Sequence, residues 1–258
     1  MIRAEETMTN HEQLRNLPLE NGIEADIESQ LVKEKPARLS ERLYGKIKSE
    51  ILSCKLKPGA SISDSALARR YKVSRTPVRE ALARVIQDDL ILTKTGIGFQ
   101  IAPITVKDVH DVFALRVLLE GEAAELAASK VTQDILDKLN DLLQKIDTID
   151  LSTVDDKGRL SYVKVNNDFH LTIAKASGNR KLFKIIKNLM DEASRYIFIE
   201  SSVVGRIGIE ESQNLVKAFE AREREKAREI VENHILSSYR RTMDALMAGD
   251  NLQLHFAN

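Results

Sequence analysis

Apolar residues recur along this chain first at helical spacing, then briefly at strand spacing, then at helical spacing to near its end. From about Ser40 to Ser53, Leu43, Ile47, Ile51 and Leu52 fall on one side of a helix. Lys57-Pro58-Gly59 ends this unit as a turn. Ser63 is placed to cap a short second helix, Asp64 to Tyr71, with Leu67 facing inward. Lys72-Val73 makes a tight connection, and Ser74 is placed to cap a third helix running to about Gln87. Pro77 suits the first turn of that helix, where no intrahelical N–H is needed. Val78, Leu82 and Val85 form its buried stripe. Two short runs, Ile91 to Lys94 and Phe99 to Ala102, then read as strands joined by the hairpin loop Thr95-Gly96-Ile97-Gly98. Helix, helix, turn, helix and hairpin in this order predict a winged helix-turn-helix over residues 38–103.

Residues 104–106, entered through Pro103, read as a linker. Thr105 and Asp108 have the spacing of a capping box, and Val112, Leu115, Leu119, Ala123 and Leu126 form a long stripe behind it. Further helices are expected at about 132–146, 160–177, 179–201, 209–222 and 224–247, with Asp147 to Gly158 as the longest loop. The fold class is therefore mainly α: the winged unit, then an antiparallel bundle of about six helices over 107–250. Residues 1–37, rich in Glu, Asn and Gln and containing Pro18 and Pro36, read as a poorly ordered arm, and 251–258 as a tail.

Composition narrows the class. Of 258 residues, 43% are hydrophobic and 30% charged, as in folded soluble proteins; aromatics are only 5%, so the cores must be aliphatic. The single cysteine, Cys54, allows no disulfide within the chain and fits a cytoplasmic setting. No apolar run approaches the roughly 20 residues of a membrane span, and the polar N-terminus lacks the apolar core of a signal peptide. The net charge of zero conceals an asymmetry. Between Pro36 and Thr105 there are thirteen Lys and Arg against six Asp and Glu, an excess of seven, which the rest of the chain must balance. A basic unit beside an acidic one predicts a polyanionic partner for the first alone.

The third helix opens Ser74-Arg75-Thr76-Pro77-Val78-Arg79. Arg75 and Arg79 are four apart and share a face with Thr76, opposite the apolar stripe. Two arginines on an exposed helix are by themselves ordinary surface charge. Here the tight turn, the basic excess and the hairpin agree with them. Such a helix can enter a major groove, where Arg pairs bidentately with guanine while the helix N-terminus favours phosphate. Thr93, Lys94 and Gly96 in the hairpin are placed to approach the DNA backbone or minor groove.

The stretch from Leu56 to Ala102 resembles the winged helix of the GntR family: Lys57-Pro58-Gly59, Leu67-Ala68, the run Val73 to Leu82, and the Gly96/Gly98 wing carry the match. The resemblance implies DNA contacts by Ser74, Arg75, Thr76, Arg79, Lys94 and Gly96. One departure is Ser65, where many relatives carry a DNA-touching Arg. The second half resembles the FadR-type branch with its all-helical FCD ligand-binding domain, through Phe113 to Glu120, Asn166 to His170, Ala176 to Asn179 and Ala227 to His234. Many members of that branch hold a divalent metal such as zinc on an Asp and three His. The corresponding positions here are Asn166, His170, Ser212 and His234, so His170, His234 and Asn166 are the candidate ligands. Neutral oxygens bind transition metals less well than carboxylate or imidazole, and the same four residues equally suit direct effector binding. Arg116 either meets an effector carboxylate or forms an intrahelical pair with Glu120.

The resemblance thus implies a homodimeric, DNA-binding repressor on a palindromic operator, controlled by a small organic acid. A ligand-independent architectural DNA binder is the alternative, although DNA binding by shape needs no bundle of this size. Catalysis is not expected: Asp168 and His170 are two apart on a helix and point in different directions, and no nucleophile motif or phosphate loop is present.

Overall fold

The aliphatic stripe of the first predicted helix becomes the floor of the N-terminal unit. The computed structural model describes residues 36–94, 98–203 and 210–248. Helix α1 spans Pro36–Leu52, four residues earlier than the sequence pattern indicated, and buries Leu43, Ile47 and Ile51. Helix α2, Asp64–Arg70, is capped by Ser63, whose side chain accepts from the Ala66 N–H. Helix α3, Arg75–Gln87, turns Val78, Ala81, Leu82 and Val85 onto α1. Ser74 precedes α3 in extended conformation but makes no side-chain cap, contrary to the expectation. Its turn is built instead on Lys72, which takes φ +54.

The hairpin strands are β2, Ile91–Lys94, and β3, Gly98–Ile101, antiparallel with Leu92 opposite Gln100. A third strand, β1 (Ser61–Ile62), adds to the far edge of β3, giving the order β1-β3-β2. Two residues show no alternation, so the sequence carried no sign of it. Gly96, between the hairpin strands, lies outside the described residues, as do residues 1–35 and 249–258.

Six helices follow among the described residues: α4 Val106–Ala128, α5 Gln133–Asp147, α6 Asp156–Ala176, α7 Arg180–Val203, α8 Glu210–Glu220 and α9 Arg224–Ala248. The Thr105/Asp108 capping box is present. The expected long loop is shorter, because Asp155 caps α6 by accepting from the Gly158 N–H and starts it at Asp156. The α4 stripe also differs. Val112 and Ala123 are buried, but Leu115 is 47% exposed, while Arg116 and Glu120 face the interior. Helix α4 packs chiefly on α9 and α7. Gly121 permits the first of these, since a Cβ there would come within 2.7 Å of the Glu232 side chain.

Candidate nucleic-acid interface and buried cluster

Two patches hold the residues singled out in the sequence. The first is the end of α3. Ser74, Arg75, Thr76 and Arg79 are all exposed on one surface, with the apolar side of α3 turned to the core. Pro77 is buried in the first turn, where its missing N–H leaves no intrahelical hydrogen bond unmade. Lys94 is exposed at the end of β2, paired in register with Gly98. An open concavity beside α3 is lined by Ser65, Ala68, Arg69, Lys72, Val73 and Arg75. The expectation had missed the partner of the two arginines. Arg75 Nη2 donates to both Asp64 carboxylate oxygens, at 3.0 and 2.9 Å, and Arg79 Nε lies 3.8 Å from the same carboxylate. The Arg75 hydrogen bond is the main cause holding the Asp64 carboxyl below its ordinary range.

The second patch lies inside the bundle and is centred on Glu120, which the sequence had offered only as the intrahelical ion-pair partner of Arg116. Glu120 is 3% exposed and accepts from Arg116 Nε at 2.7 Å, while its other oxygen sits 2.6 Å from His170 Nδ1. Arg116 is 1% exposed, and its guanidinium lies over the Phe113 ring. The pairing with Glu120 is therefore real, but it is buried rather than solvated. Burial acts to raise the Glu120 carboxyl, and the Arg116 charge, joined by that of His170 once it protonates at low pH, outweighs it, holding it at about 2. Burial lowers the His170 pKa, and the nearby Arg116 and His234 act the same way against Glu120. A neutral His170 donates from Nδ1 to Glu120, which leaves Nε2 as a lone-pair acceptor. His170 and His234 rings are 5.4 Å apart, and His234 Nδ1 lies 3.0 Å from Glu211. Ser212 is buried close to Glu211 in sequence, and Asn166 is half-buried one turn before His170.

Each imidazole therefore has Nδ1 tied to a carboxylate, the arrangement that orients a histidine for a ligand at Nε2. Among the described residues no three His, Cys, Asp or Glu side chains converge as a metal site. The gap lined by Glu120, Ala123, His170, Ile173, Ala174 and Val231 leaves no room for even one water molecule. Arg116 Nη1 is nevertheless buried with no hydrogen-bond partner.

Helix α7 touches both the bundle helix α6 and the winged unit. Asn167 on α6 donates to Ser194 Oγ at 2.7 Å. Next to it, Arg195 donates to the Ala102 carbonyl at the end of the wing, and Asp191 accepts from Lys48 of α1 at 2.7 Å.

A winged helix-turn-helix with an exposed basic helix end, coupled to a helical domain with a buried polar cluster, is the architecture of a DNA-binding regulator. The chain belongs to the GntR family of bacterial regulatory proteins: the profile "Bacterial regulatory proteins, gntR family" matches residues 39–101, and "FCD domain" matches 111–237. It is 28% identical over 158 residues to the HTH-type transcriptional regulator YdhC of Bacillus subtilis, covering 61% of this chain and 69% of that one. It is 26% identical to the HTH-type transcriptional repressor GlaR of Escherichia coli, covering 75% and 91%. The solved structure of E. coli McbR/YncC shares the fold with a TM-score of 0.63 at 24% identity, over 78% of this chain and 97% of the other. No helix among the described residues is long and apolar enough to cross a membrane.

Proposed function

We propose that this regulator is a cytoplasmic repressor whose operator affinity is set by a small organic acid bound in the helical domain. The observation that carries the sensing half is Arg116 Nη1, a buried donor with no acceptor. Leaving such a group unpaired costs about 1–3 kcal/mol, which a carboxylate oxygen reaching it would recover. Glu120, which Arg116 pairs with, and His170 line the closed gap beside it, and the His234 ring lies 5.4 Å from that of His170. Because the gap is closed, entry of a ligand requires α4, α6 and α9 to move apart. That displacement reaches the winged unit through α7. A ligand shifts the equilibrium only by binding the opened arrangement better than the closed one. Repression is supported by the names of relatives, among them GlaR and RspR of E. coli.

On the DNA side, Arg75, Thr76 and Arg79 enter the major groove, with Ser74 at the phosphate and Lys94 and Gly96 in the wing. Two copies are needed for useful specificity, and Leu115 and Leu118, 47% and 65% exposed on α4, offer the apolar surface for a two-fold dimer on a palindromic operator. Arg75→Ala and Arg79→Ala should each weaken operator binding by about 1–3 kcal/mol in a gel-shift titration. Unchanged affinity in both variants would remove α3 from the groove. For the sensor, calorimetry across small organic acids should find one that binds wild type and not Arg116→Ala. Undiminished binding in that variant would place the effector elsewhere.

A divalent metal on His170 and His234, with Asn166 adding a carbonyl oxygen, is the second reading, favoured by the two carboxylate-oriented imidazoles. Bound there, it would supply a Lewis-acidic anchor for an effector carboxylate. Elemental analysis of the purified protein and of His170→Ala tests it; metal-free wild type would reject it while leaving the Arg116 reading intact.

A further inference from the structure

Building on the reading that α3 enters the groove, we infer that Asp64 is a positioning residue for base recognition, one carboxylate that holds the two groove-facing arginines in register and suppresses binding to DNA of the wrong sequence. The two guanidiniums come from successive turns of α3 and are 63% and 70% exposed, whereas the Asp64 side chain is only 14% exposed. It sits at the first position of α2, fixed by the Ser63 cap, so it belongs to the rigid part of the interface. An exposed ion pair of this kind contributes little to folding, roughly 0–1 kcal/mol. What it changes is the freedom of the arginines. A free Arg side chain loses up to about 2 kcal/mol of rotamer entropy when ordered against a base. Asp64 engages Nη2 of Arg75 from one side, and Nη1 and Nε of that residue take no part in the pair. Arg75 is thereby ordered before DNA arrives, and the ordering cost falls outside the binding step.

The same carboxylate acts in the opposite direction on DNA of arbitrary sequence. Non-specific affinity comes from neutralising phosphates, and a negative charge between two arginines subtracts from it. Operator DNA compensates through base contacts that the ordered guanidiniums can make; random DNA has none to offer. Ser65, the neighbouring residue, is a hydroxyl with no charge, so discrimination at this corner falls to Asp64 and the arginines it holds.

The test uses the full chain, an operator obtained by in vitro selection with wild-type protein, and a scrambled duplex of the same length. Asp64→Asn removes the charge and keeps the shape. It should bind the scrambled duplex about threefold more tightly at moderate salt and the operator about tenfold more weakly. A merely structural role would weaken both. In an Arg75→Ala background, Asp64→Asn should weaken the operator much less, because only the more distant Arg79 is left to position. Operator affinity that is unchanged, or that rises with the non-specific affinity, overturns the inference, as does a cycle showing no coupling. If Arg75→Ala and Arg79→Ala both leave operator affinity intact, the groove reading falls and takes this inference with it. If Arg75→Ala weakens binding while Asp64→Asn does not, only the role of Asp64 is rejected.

Discussion

Glu120 shows how far burial changes the meaning of a residue. At i, i+4 from Arg116 it matches a surface pair worth a few tenths of a kcal/mol. Inside the bundle the same pair is a matched charge that cannot lose one member cheaply. Glu120→Gln leaves the Arg116 guanidinium buried without a counter-charge and should destabilise the protein by about 3 kcal/mol in urea unfolding. The cluster also fixes the sign of the pH response. His170 is held below 6.5, so the folded state prefers its neutral form; that contribution is complete above 6.5 and is lost as the pH falls below it. Glu120, at about 2 against an ordinary 4.5, contributes above 4.5 and loses its share between 4.5 and about 2. Thermal unfolding should therefore shift to lower temperature on acidification from about pH 6.5 to about pH 5, and His170→Gln should flatten that slope. The pattern of polar residues made Arg116, Glu120 and His170 visible; it gave no reason to turn all three to one interior point.

At the scale of the element, α7 is the connecting piece. Its middle turns carry Asp191 and Arg195 to the winged unit, while Ser194 between them receives the Asn167 hydrogen bond from α6. Lys48 also meets Asp88 at the end of α3, so one lysine holds α1, α3 and α7 together. Burial acts to lower its pKa, yet the two carboxylates win and raise it above the ordinary lysine value. Asp191→Asn should cost about 1 kcal/mol and, more tellingly, increase amide exchange in α1 without altering α9. The turn before α7 has its own requirement. Gly178 sits at φ +72, and Asn179 Oδ1 accepts from the Lys181 and Leu182 N–H groups to start the helix. Gly178→Ala should cost about 1 kcal/mol in denaturant unfolding. These helices were legible from periodicity, and Ser63, Thr105 and Asp155 act as caps because each is a short acceptor directly before its helix. Strand β1 was not legible: two residues become a strand only because β3 lies beside them.

At the scale of the whole molecule, the exposed Leu115 and Leu118 mark the face of α4 left uncovered by α7 and α9. If that face is the dimer seam, Leu118→Asp should yield a monomer in light scattering and a large loss of operator affinity, with the helical content unchanged. The sequence determined the order of elements, the basic winged unit ahead of a helical domain, and the exposed, arginine-bearing side of α3. Those features depend on interactions within one helix or hairpin, where spacing along the chain sets which side chains are neighbours. The partner of Arg75, the interior position of Glu120, the closed gap beside His170 and the α7 link to the winged unit were decided only in three dimensions. Each joins residues from different elements, and which face of an amphipathic helix meets which neighbour is fixed by how all the helices bury their apolar area together.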